Sequence, residues 1–195
     1  MPFPLAEHNR EAIEAHFRKR RKRQDFAWTE DFFIDVLRSS QDKYDLNYAA
    51  QALRAVGTVR AVPFLKPLVH FTNNDVRAIV LLTVAHIARG AESRWYSELL
   101  VDPKFRMKDY AIWAIQEAGD ESALEAVEGY FTDKRRLIEA GKLESFQIAM
   151  GRDYLQRIGA SSSKAAQLLE DAWTSVAEDE RERHLKQINY HRAQA

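Results

Sequence analysis

The amino-acid sequence predicts an all-α fold, and three observations support that prediction. Apolar residues recur at i, i+3 and i+4 through most of the 195 residues, whereas few segments alternate with period two. The chain has only 7 glycines and 5 prolines, and no proline follows Pro103 to bar the remaining residues from helix. Several helix-like segments end in glycine, the residue typical of helix C-termini.

The N-terminal residues 5–41 predict two capping helices. Residues 5–25 form a charged helical segment with a single i, i+4 apolar pair, Ile13 and Phe17. Thr29 is suited to N-cap the second helix, because Glu30 and Asp31 then lie in its positive first turn. The apolar positions of that second helix are Phe32, Phe33, Val36 and Leu37.

Two later segments match each other in sequence. Residues 49–57 and residues 111–119 are rich in alanine and end in Gly57 and Gly119, each of which we expect in the left-handed C′ conformation. A short turn and an apolar-striped helix follow each glycine. Gly90 and Gly159 also end helix-like segments, which match this pattern less closely. The four glycines are 33, 29 and 40 residues apart.

The remaining segments complete the helical pattern. Asp102 and Pro103 predict a helix start, with aspartate as N-cap and proline in the first turn. Residues 132–145 contain Gly141 and predict a lengthened or interrupted connection. Residues 174–195 predict one last, highly polar helix.

This pattern resembles HEAT-like repeats, particularly the short bacterial type also found in phycobilin lyases. Residues 49–68 and 111–131 carry the motif best: an alanine-rich helix, glycine, a short turn and a second helix. The pairs Val76-Arg77 and Phe105-Arg106 are similar to the Val-Arg of the family's inner helix.

The resemblance implies an architecture and, more weakly, a function. It covers roughly residues 42–173 and implies a single domain over residues 1–195. That domain would be a right-handed α-solenoid of about four to five antiparallel helix pairs with capping helices at both ends. The family mostly supplies binding scaffolds, so the resemblance itself names no activity.

Composition limits the function classes. Lys+Arg and Asp+Glu both number 29, so the net charge of +0 argues against a surface built throughout to coat nucleic acid or an anionic membrane. The absence of cysteine excludes disulfides, thiolate metal sites and a cysteine nucleophile. No apolar run is long enough to cross a membrane and no signal peptide is evident, so we expect a cytoplasmic protein.

The sequence contains no catalytic motif that we recognise. The 6 histidines form no HExxH or i, i+4 metal pair, no serine lies in a Gly-x-Ser-x-Gly turn, and the glycines are too isolated for a phosphate loop. We therefore predict neither an enzyme nor a bound cofactor or metal.

The most unusual local feature is a run of six basic residues. Arg18, Lys19, Arg20, Arg21, Lys22 and Arg23 could contact phosphates, anionic lipid or an acidic protein, and they resemble a nuclear-import signal. The alternative is a solvated helix end, where cations suit the C-terminal half of the dipole and Glu14 pairs with Arg18.

The repeat alignment predicts a partner-binding stripe on the concave, inner-helix face. If residues 49, 50, 53 and 56 are buried, other positions of the first inner helix must face outward. The positions at the same distances from the terminal glycine then face outward in the next three inner helices. A shift of one position would turn the stripe into ordinary core. The predicted site residues are Tyr44, Tyr48, Gln51, Arg77, Leu81, Arg106, Tyr110, Trp113, Glu117 and Asp153, with Val84, Phe146 and Met150 at neighbouring offsets.

The leading hypothesis is a non-catalytic scaffold that grips one partner protein, and its sharper version is an inhibitor or immunity (antitoxin) protein. The first alternative is a nucleic-acid-binding or DNA-repair protein of the HEAT-like kind. Residues 61–119 hold 7 Lys+Arg against 6 Asp+Glu, too small a surplus for a groove that follows several phosphates. The second alternative is a bilin-lyase-like chromophore chaperone.

Overall fold

The computed structural model describes residues 7–20 and 26–193, and the fold is all-α as predicted. No strand occurs among these residues, and none of their helices is long and apolar enough to cross a membrane. The chain divides into two compact units, the first ending at Ala88 and the second running from Arg89 to Ala193. The finer division into capping helices, repeats and a last helix stays a prediction.

Within residues 7–20 and 26–88, the described part of the first unit, there are five α-helices. Helix α3 contacts α1, α2 and α5, and α4 contacts α2 and α5, so α3 is central to this unit. Two short 3₁₀ helices, Val59–Ala61 and Lys66–His70, flank α4. The five helices are α1 (Glu7–Arg20), α2 (Glu30–Ser39), α3 (Lys43–Val56), α4 (Val62–Leu65) and α5 (Asn74–Ala88).

Helices are present in the predicted N-terminal region as α1 and α2, while their capping role stays a prediction and residues 5, 6 and 21–25 lie outside the described residues. Ile13 and Phe17 of α1 are buried, and Phe17 lies in an aromatic cluster with ring centroids 5.5 Å from Phe32 and 5.8 Å from Phe33. The Thr29 hydroxyl accepts the Phe32 N–H at 3.3 Å, which fixes the start of α2. Aromatic edge-to-face packing therefore joins α1 to α2.

The helix expected after Gly57 is broken into short pieces. Pro63 lies in the first turn of α4, where its missing N–H costs nothing. Pro67 lies in the first turn of the 3₁₀ helix that follows. Inside a continuous helix it would lack an N–H donor for the preceding turn, and its ring would clash with the carbonyl four residues back. Two prolines four positions apart thus prevent one continuous helix.

The second unit contains seven further α-helices in two rows. Helices α7, α10 and α12 make successive contacts along one row, and α6, α8 and α11 along the other, with α6 on α7 and α10 on α11. The seven are α6 (Ser93–Val101), α7 (Lys108–Ala118), α8 (Leu124–Asp133), α9 (Arg135–Glu139), α10 (Ser145–Arg157), α11 (Lys164–Thr174) and α12 (Glu178–Ala193).

The glycines that end α3 and α7 correct one prediction. Gly57 has φ −79° and Gly119 has φ −67°, so neither takes the left-handed conformation, which Gly159 alone of the four matched glycines adopts with φ +76°. Glycine is required instead by close approach. A Cβ would lie 2.4 Å from the Leu53 carbonyl oxygen at residue 57 and 2.7 Å from that of Ile115 at residue 119.

The helix start predicted at Asp102 and Pro103 is wrong. Asp102 ends α6, because its N–H donates to the Glu98 carbonyl at 3.0 Å, and its carboxylate accepts the Lys104 N–H at 2.9 Å to form a turn. Helix α7 begins only at Lys108. An aspartate carboxylate that accepts a backbone N–H can cap the start of a helix. At residue 102 the same kind of hydrogen bond instead stabilises the turn after the end of a helix.

Candidate functional site

Helix α3 presents the first part of the predicted stripe. The buried residues of α3 are Leu46, Ala49, Ala50, Ala52 and Leu53. Three of the four positions that the sequence comparison took as buried are therefore buried, and Val56 is half-buried. Tyr44 is 55% exposed, and Tyr48 and Gln51 are half-buried. The three predicted residues on α3 are thus accessible at the surface of the first unit.

These three residues line one groove of the first unit. The groove has a volume of about 450 Å³, and Asn9 of α1 and Asn73 ahead of α5 also line it. Gln51 donates its amide N–H to the Asn47 side-chain oxygen, and the Asn73 side-chain oxygen accepts the Val76 N–H at 3.1 Å. The wall is therefore rich in carboxamides and phenols, which offer both hydrogen-bond donors and acceptors.

An ionic cluster fixes α1 against α3 beside this groove. His16 donates through Nε2 to the Asp45 carboxylate at 2.6 Å, and Arg20 donates to Asp45 and to Asp42, both at 2.9 Å. Burial works to raise the pKa of Asp45, but the hydrogen bonds from His16, Ser40 and Arg20 outweigh it and hold the pKa below its ordinary value. The hydrogen bond from Arg20 likewise lowers the pKa of Asp42.

Two residues of the basic run form ion pairs within the first unit. Arg18 pairs with Glu14 at 2.6 Å, as the helix-end interpretation expects, and Arg20 is held by the two aspartates. Lys19 is exposed. Arg21, Lys22 and Arg23 lie outside the described residues. Two of the three described cations therefore have carboxylate partners within the first unit.

Helix α5 contradicts the prediction at Leu81 and at its neighbour Val84. Both are fully buried, because α5 is apolar on nearly all sides and packs against α3. The Thr83 hydroxyl even donates to the Ala50 carbonyl of α3 at 3.0 Å inside this interface. Arg77 is half-buried, and its guanidinium donates to the Phe71 carbonyl, so it braces the start of α5.

Helix α7 presents the predicted stripe of the second unit. Arg106, just ahead of α7, is exposed, and Tyr110, Trp113 and Glu117 are half-buried. Tyr110 and Trp113 stack with centroids 6.0 Å apart, and Phe146 of α10 meets the Trp113 ring edge-on at 5.4 Å. The structure thus brings three predicted aromatic residues together.

Helix α10 departs from the prediction at Asp153 and Met150, which are both buried. The Asp153 carboxylate accepts the Gln116 amide N–H of α7 at 2.9 Å, so Asp153 faces the neighbouring helix and not the surface. A buried carboxylate needs such a partner to offset its desolvation. Sequence offsets could not show this, because α10 contacts α7, α11 and α12 together.

One polar cluster escaped the sequence analysis because its members are far apart in the chain. Ser145 at the start of α10 donates to the Glu180 carboxylate of α12, and His184 Nε2 lies 2.9 Å from the Ser145 hydroxyl oxygen. Burial lowers the pKa of His184, which favours the neutral ring. Because the Ser145 hydroxyl donates to Glu180, Nε2–H is the donor to the Ser145 oxygen.

This cluster is not a nucleophile with its base. The serine proton points to Glu180, so His184 is placed to donate to the hydroxyl and not to remove its proton. A carboxylate that orients the histidine would have to accept a hydrogen bond from Nδ1. The Glu180 carboxylate does not, since Nδ1 is buried with no hydrogen-bond partner in the described part of the chain. The contacts join α10 to α12.

Among residues 7–20 and 26–193, no group of three or more His, Asp or Glu side chains could hold a metal ion. No protein-family model, curated protein or solved structure matches the chain.

Proposed function

We propose that this protein is a non-catalytic helical-repeat scaffold, similar to HEAT-like repeats, that grips a partner protein through its inner helices α3 and α7. The observation that carries the proposal is the groove of about 450 Å³ on α3, lined by Tyr44, Tyr48 and Gln51. These residues lie where the repeat comparison places a binding surface, and tyrosine is enriched among the residues that dominate protein interfaces.

The matching backbone of two segments supports the repeat part of this proposal. Helices α3 and α7 both end at an extended glycine whose N–H donates to the carbonyl four residues back, at 2.8 Å for Gly57 and 2.7 Å for Gly119. A 3₁₀ turn then leads into the next helix, capped by the side chain of Thr58 or Asp120. The two-row packing of the second unit agrees with paired-helix repeats.

The sharper form of the proposal is an inhibitor or immunity protein, which binds one enzyme stoichiometrically and blocks its active site. The zero net charge and the aromatic residues on α7 suit a dedicated protein contact. The carboxylate partners of Arg18 and Arg20 weaken the nucleic-acid alternative, because those guanidinium groups would have to leave their aspartates and glutamate to reach phosphates.

The test is affinity capture from native lysate with the tagged chain, followed by binding of the purified partner. The variant pair Tyr44→Ala/Tyr48→Ala removes both phenols from the α3 groove, and Tyr110→Ala/Trp113→Ala removes the α7 stack. Val59→Ala, at a residue 64% exposed outside the groove, is the matched control. We expect one protein retained at equal stoichiometry by wild type and control, with affinity reduced at least about tenfold by either double variant.

Nucleic acid is the competing ligand in the same experiment. A labelled 30-nucleotide duplex that binds near physiological salt, weakens steeply with added salt and is lost after charge reversal of residues 18–23 would overturn the proposal in favour of the alternative. Retention of every captured protein by both double variants would overturn it as well.

A further inference from the structure

Helix α12 is held to the second unit by few side chains. Among its residues 178–189, whose side chains the structure describes, only His184 and Ile188 are buried, and Leu185 is 41% exposed. Helix α11, which is shorter, buries five side chains. An element with little buried apolar surface opens at a lower free energy than its better-packed neighbours, so α12 is displaced more easily than α11.

Two ion pairs of α12 lie within the helix itself. Arg183 pairs with Asp179 at 3.9 Å and Lys186 pairs with Glu182 at 3.6 Å, each with a partner four positions away. Pairs with this spacing support the helical conformation but do not tie α12 to α10. We therefore expect α12 to stay helical when it leaves α10.

His184 is the polar anchor of α12. Its Nε2–H donates to the Ser145 hydroxyl oxygen at 2.9 Å, and its ring centroid lies 5.9 Å from that of Phe146 and 6.4 Å from that of Trp173. Nδ1 is buried and has no hydrogen-bond partner in the described part of the chain. The docked helix therefore accommodates the neutral ring, because a proton on Nδ1 would add a charge and a second donor where these residues offer no acceptor.

The charged groups of α12 around His184 do not reverse this preference. The Glu180 carboxylate lies 3.8 Å from Nε2 and favours the charged ring, whereas Arg183 disfavours it. Burial has the largest influence and lowers the pKa of His184. Protonation therefore works against docking as pH falls below about 6.5, the ordinary pKa of a histidine in water.

The helices packed next to this contact contribute an ion pair. Arg152 of α10 lies over the Trp173 ring, 5.7 Å from its centre, and pairs with Glu170 of α11. The two opposite charges largely cancel each other, so the pair does not offset the desolvation of a charged His184 ring.

Helix α12 lies over the end of the aromatic row that begins on α7. Tyr110 and Trp113 stack on α7, and Phe146 of α10 meets the Trp113 ring edge-on at 5.4 Å. Phe146 and Trp173 both contact the His184 ring, and Trp173 is only 5% exposed. Displacement of α12 would uncover these two rings and so enlarge the aromatic surface of the second unit.

We propose that α12 is a pH-sensitive strap, which is closed at neutral pH and opens when His184 takes up a proton on Nδ1. Opening extends the aromatic surface of α7 by the rings of Phe146 and Trp173. That surface is the one through which the proposed function grips a partner protein, so the regulatory role of the strap rests on the proposed function. The motion itself needs no partner and is tested without one.

Two spin labels measure the position of α12 in the full chain, which has no cysteine of its own. The strap pair carries labels on Asn189→Cys of α12 and Gln156→Cys of α10, and the control pair on Gln156→Cys and Asp171→Cys of α11, all at exposed residues. Double electron–electron resonance is measured at pH 7.5 and 5.5. We expect the strap pair to show a second, longer distance whose share rises at least about threefold at pH 5.5, while the control pair keeps one distance.

Three variants assign the motion to His184. His184→Gln keeps an amide donor for Ser145 but cannot be protonated, so we expect the same distances at both pH values. His70→Gln, at an exposed histidine of the first unit, is the matched control and should keep the wild-type response. Ile188→Asp places a charge at the buried apolar anchor and should give the longer distance at both pH values. Circular dichroism of each variant checks that it folds.

Three outcomes would overturn the strap. The first is one unchanged distance for the wild-type strap pair at both pH values, and the second is a wild-type response that folded His184→Gln retains. The third is a longer distance in the control pair at pH 5.5, which would show general acid unfolding of the unit.

The partner protein is tested separately from the motion. A partner captured from native lysate should bind wild type at pH 5.5 at least about threefold more tightly than it binds His184→Gln. Equal affinities in spite of an open strap would overturn its regulatory role. Failure to capture any partner contradicts the proposed function alone, because the distances between the labels decide whether the strap opens.

Discussion

Helices α3 and α7 end in the same way but are held in place by different chemistry. Side chains of α1 hold α3, because His16 and Arg20 both donate hydrogen bonds to Asp45. Helix α7 is held by α10, through a buried amide-to-carboxylate bond and through Arg157, which donates to the carbonyls of Ile115, Gln116 and Gly119. The turn is thus common to both units, whereas the contacts with the neighbouring helix are particular to each.

The difference has a physical consequence. The Arg20 side chain is 46% exposed, so its attraction to the aspartates is weakened by water and salt. Arg157 instead donates to carbonyl oxygens at the C-terminal end of α7, where helical N–H donors run out. We therefore expect the first unit to respond to salt and the second to the loss of individual hydrogen bonds.

The largest expected effect tests the shared turn. Gly57→Ala and Gly119→Ala each force a Cβ against a backbone carbonyl oxygen, at 2.4 Å and 2.7 Å. We expect each variant to lower the free energy of unfolding by about 1–3 kcal/mol, with the larger loss at residue 57, as measured by urea denaturation. A loss below about 0.5 kcal/mol at both positions would show that the glycines are not required by close approach.

The glycines also show how far the sequence could predict the structure. The matched segments located the ends of α3 and α7 and the phase of their exposed residues, because an alanine-rich face and a terminal glycine constrain an amphipathic helix locally. The conformation of Gly57 was not predictable, since the need for glycine comes from a contact that only the folded turn creates.

The site predictions failed where a helix is covered on more than one side. Leu81 and Asp153 lie at the same offsets as half-buried residues of α3 and α7, yet α5 and α10 bury them fully. Burial there depends on which helices pack nearby, and sequence spacing carries no such information. The Ser145, Glu180 and His184 cluster was missed for the same reason, because 35 and 39 positions separate Ser145 from its partners.

The second prediction sharpens the contrast between exposed ion pairs and hydrogen bonds to backbone carbonyls. Arg157→Met leaves carbonyl oxygens of α7 without their donor, so we expect a loss of about 1–2 kcal/mol in the free energy of unfolding. Arg20→Met removes exposed ion pairs and should cost less than about 1 kcal/mol. Raising NaCl from 0.05 to 1 M should shrink the Arg20→Met loss and leave that of Arg157→Met unchanged. Equal salt responses would remove the distinction.

The third prediction uses pH to separate the units. Burial lowers the folded-state pKa of His184, so its neutral form contributes stability that is present above the unfolded pKa of about 6.5 and is lost as pH falls toward the folded value. The lowered pKa of Asp45 contributes stability that is present above about 3.9 and is lost as pH falls through the folded value.

Acidification from pH 7.5 to 5.5 should therefore affect α12 first. Hydrogen exchange should show lost protection at the α10–α12 contact, and His184→Gln should abolish this pH dependence. Asp45→Asn should change the unfolding free energy only above the pH range where Asp45 is protonated. Simultaneous loss of protection in α1 and α12 within that interval would contradict the assignment of the two groups.

The smallest expected effect has the opposite sign. Gly129→Ala adds a methyl group to open space inside α8 and removes backbone freedom from the unfolded chain, so we expect the free energy of unfolding to rise by about 0.5–1 kcal/mol. Urea denaturation measures this change beside the losses at Gly57 and Gly119. A loss of stability would show instead that the fold of α8 itself requires glycine at residue 129.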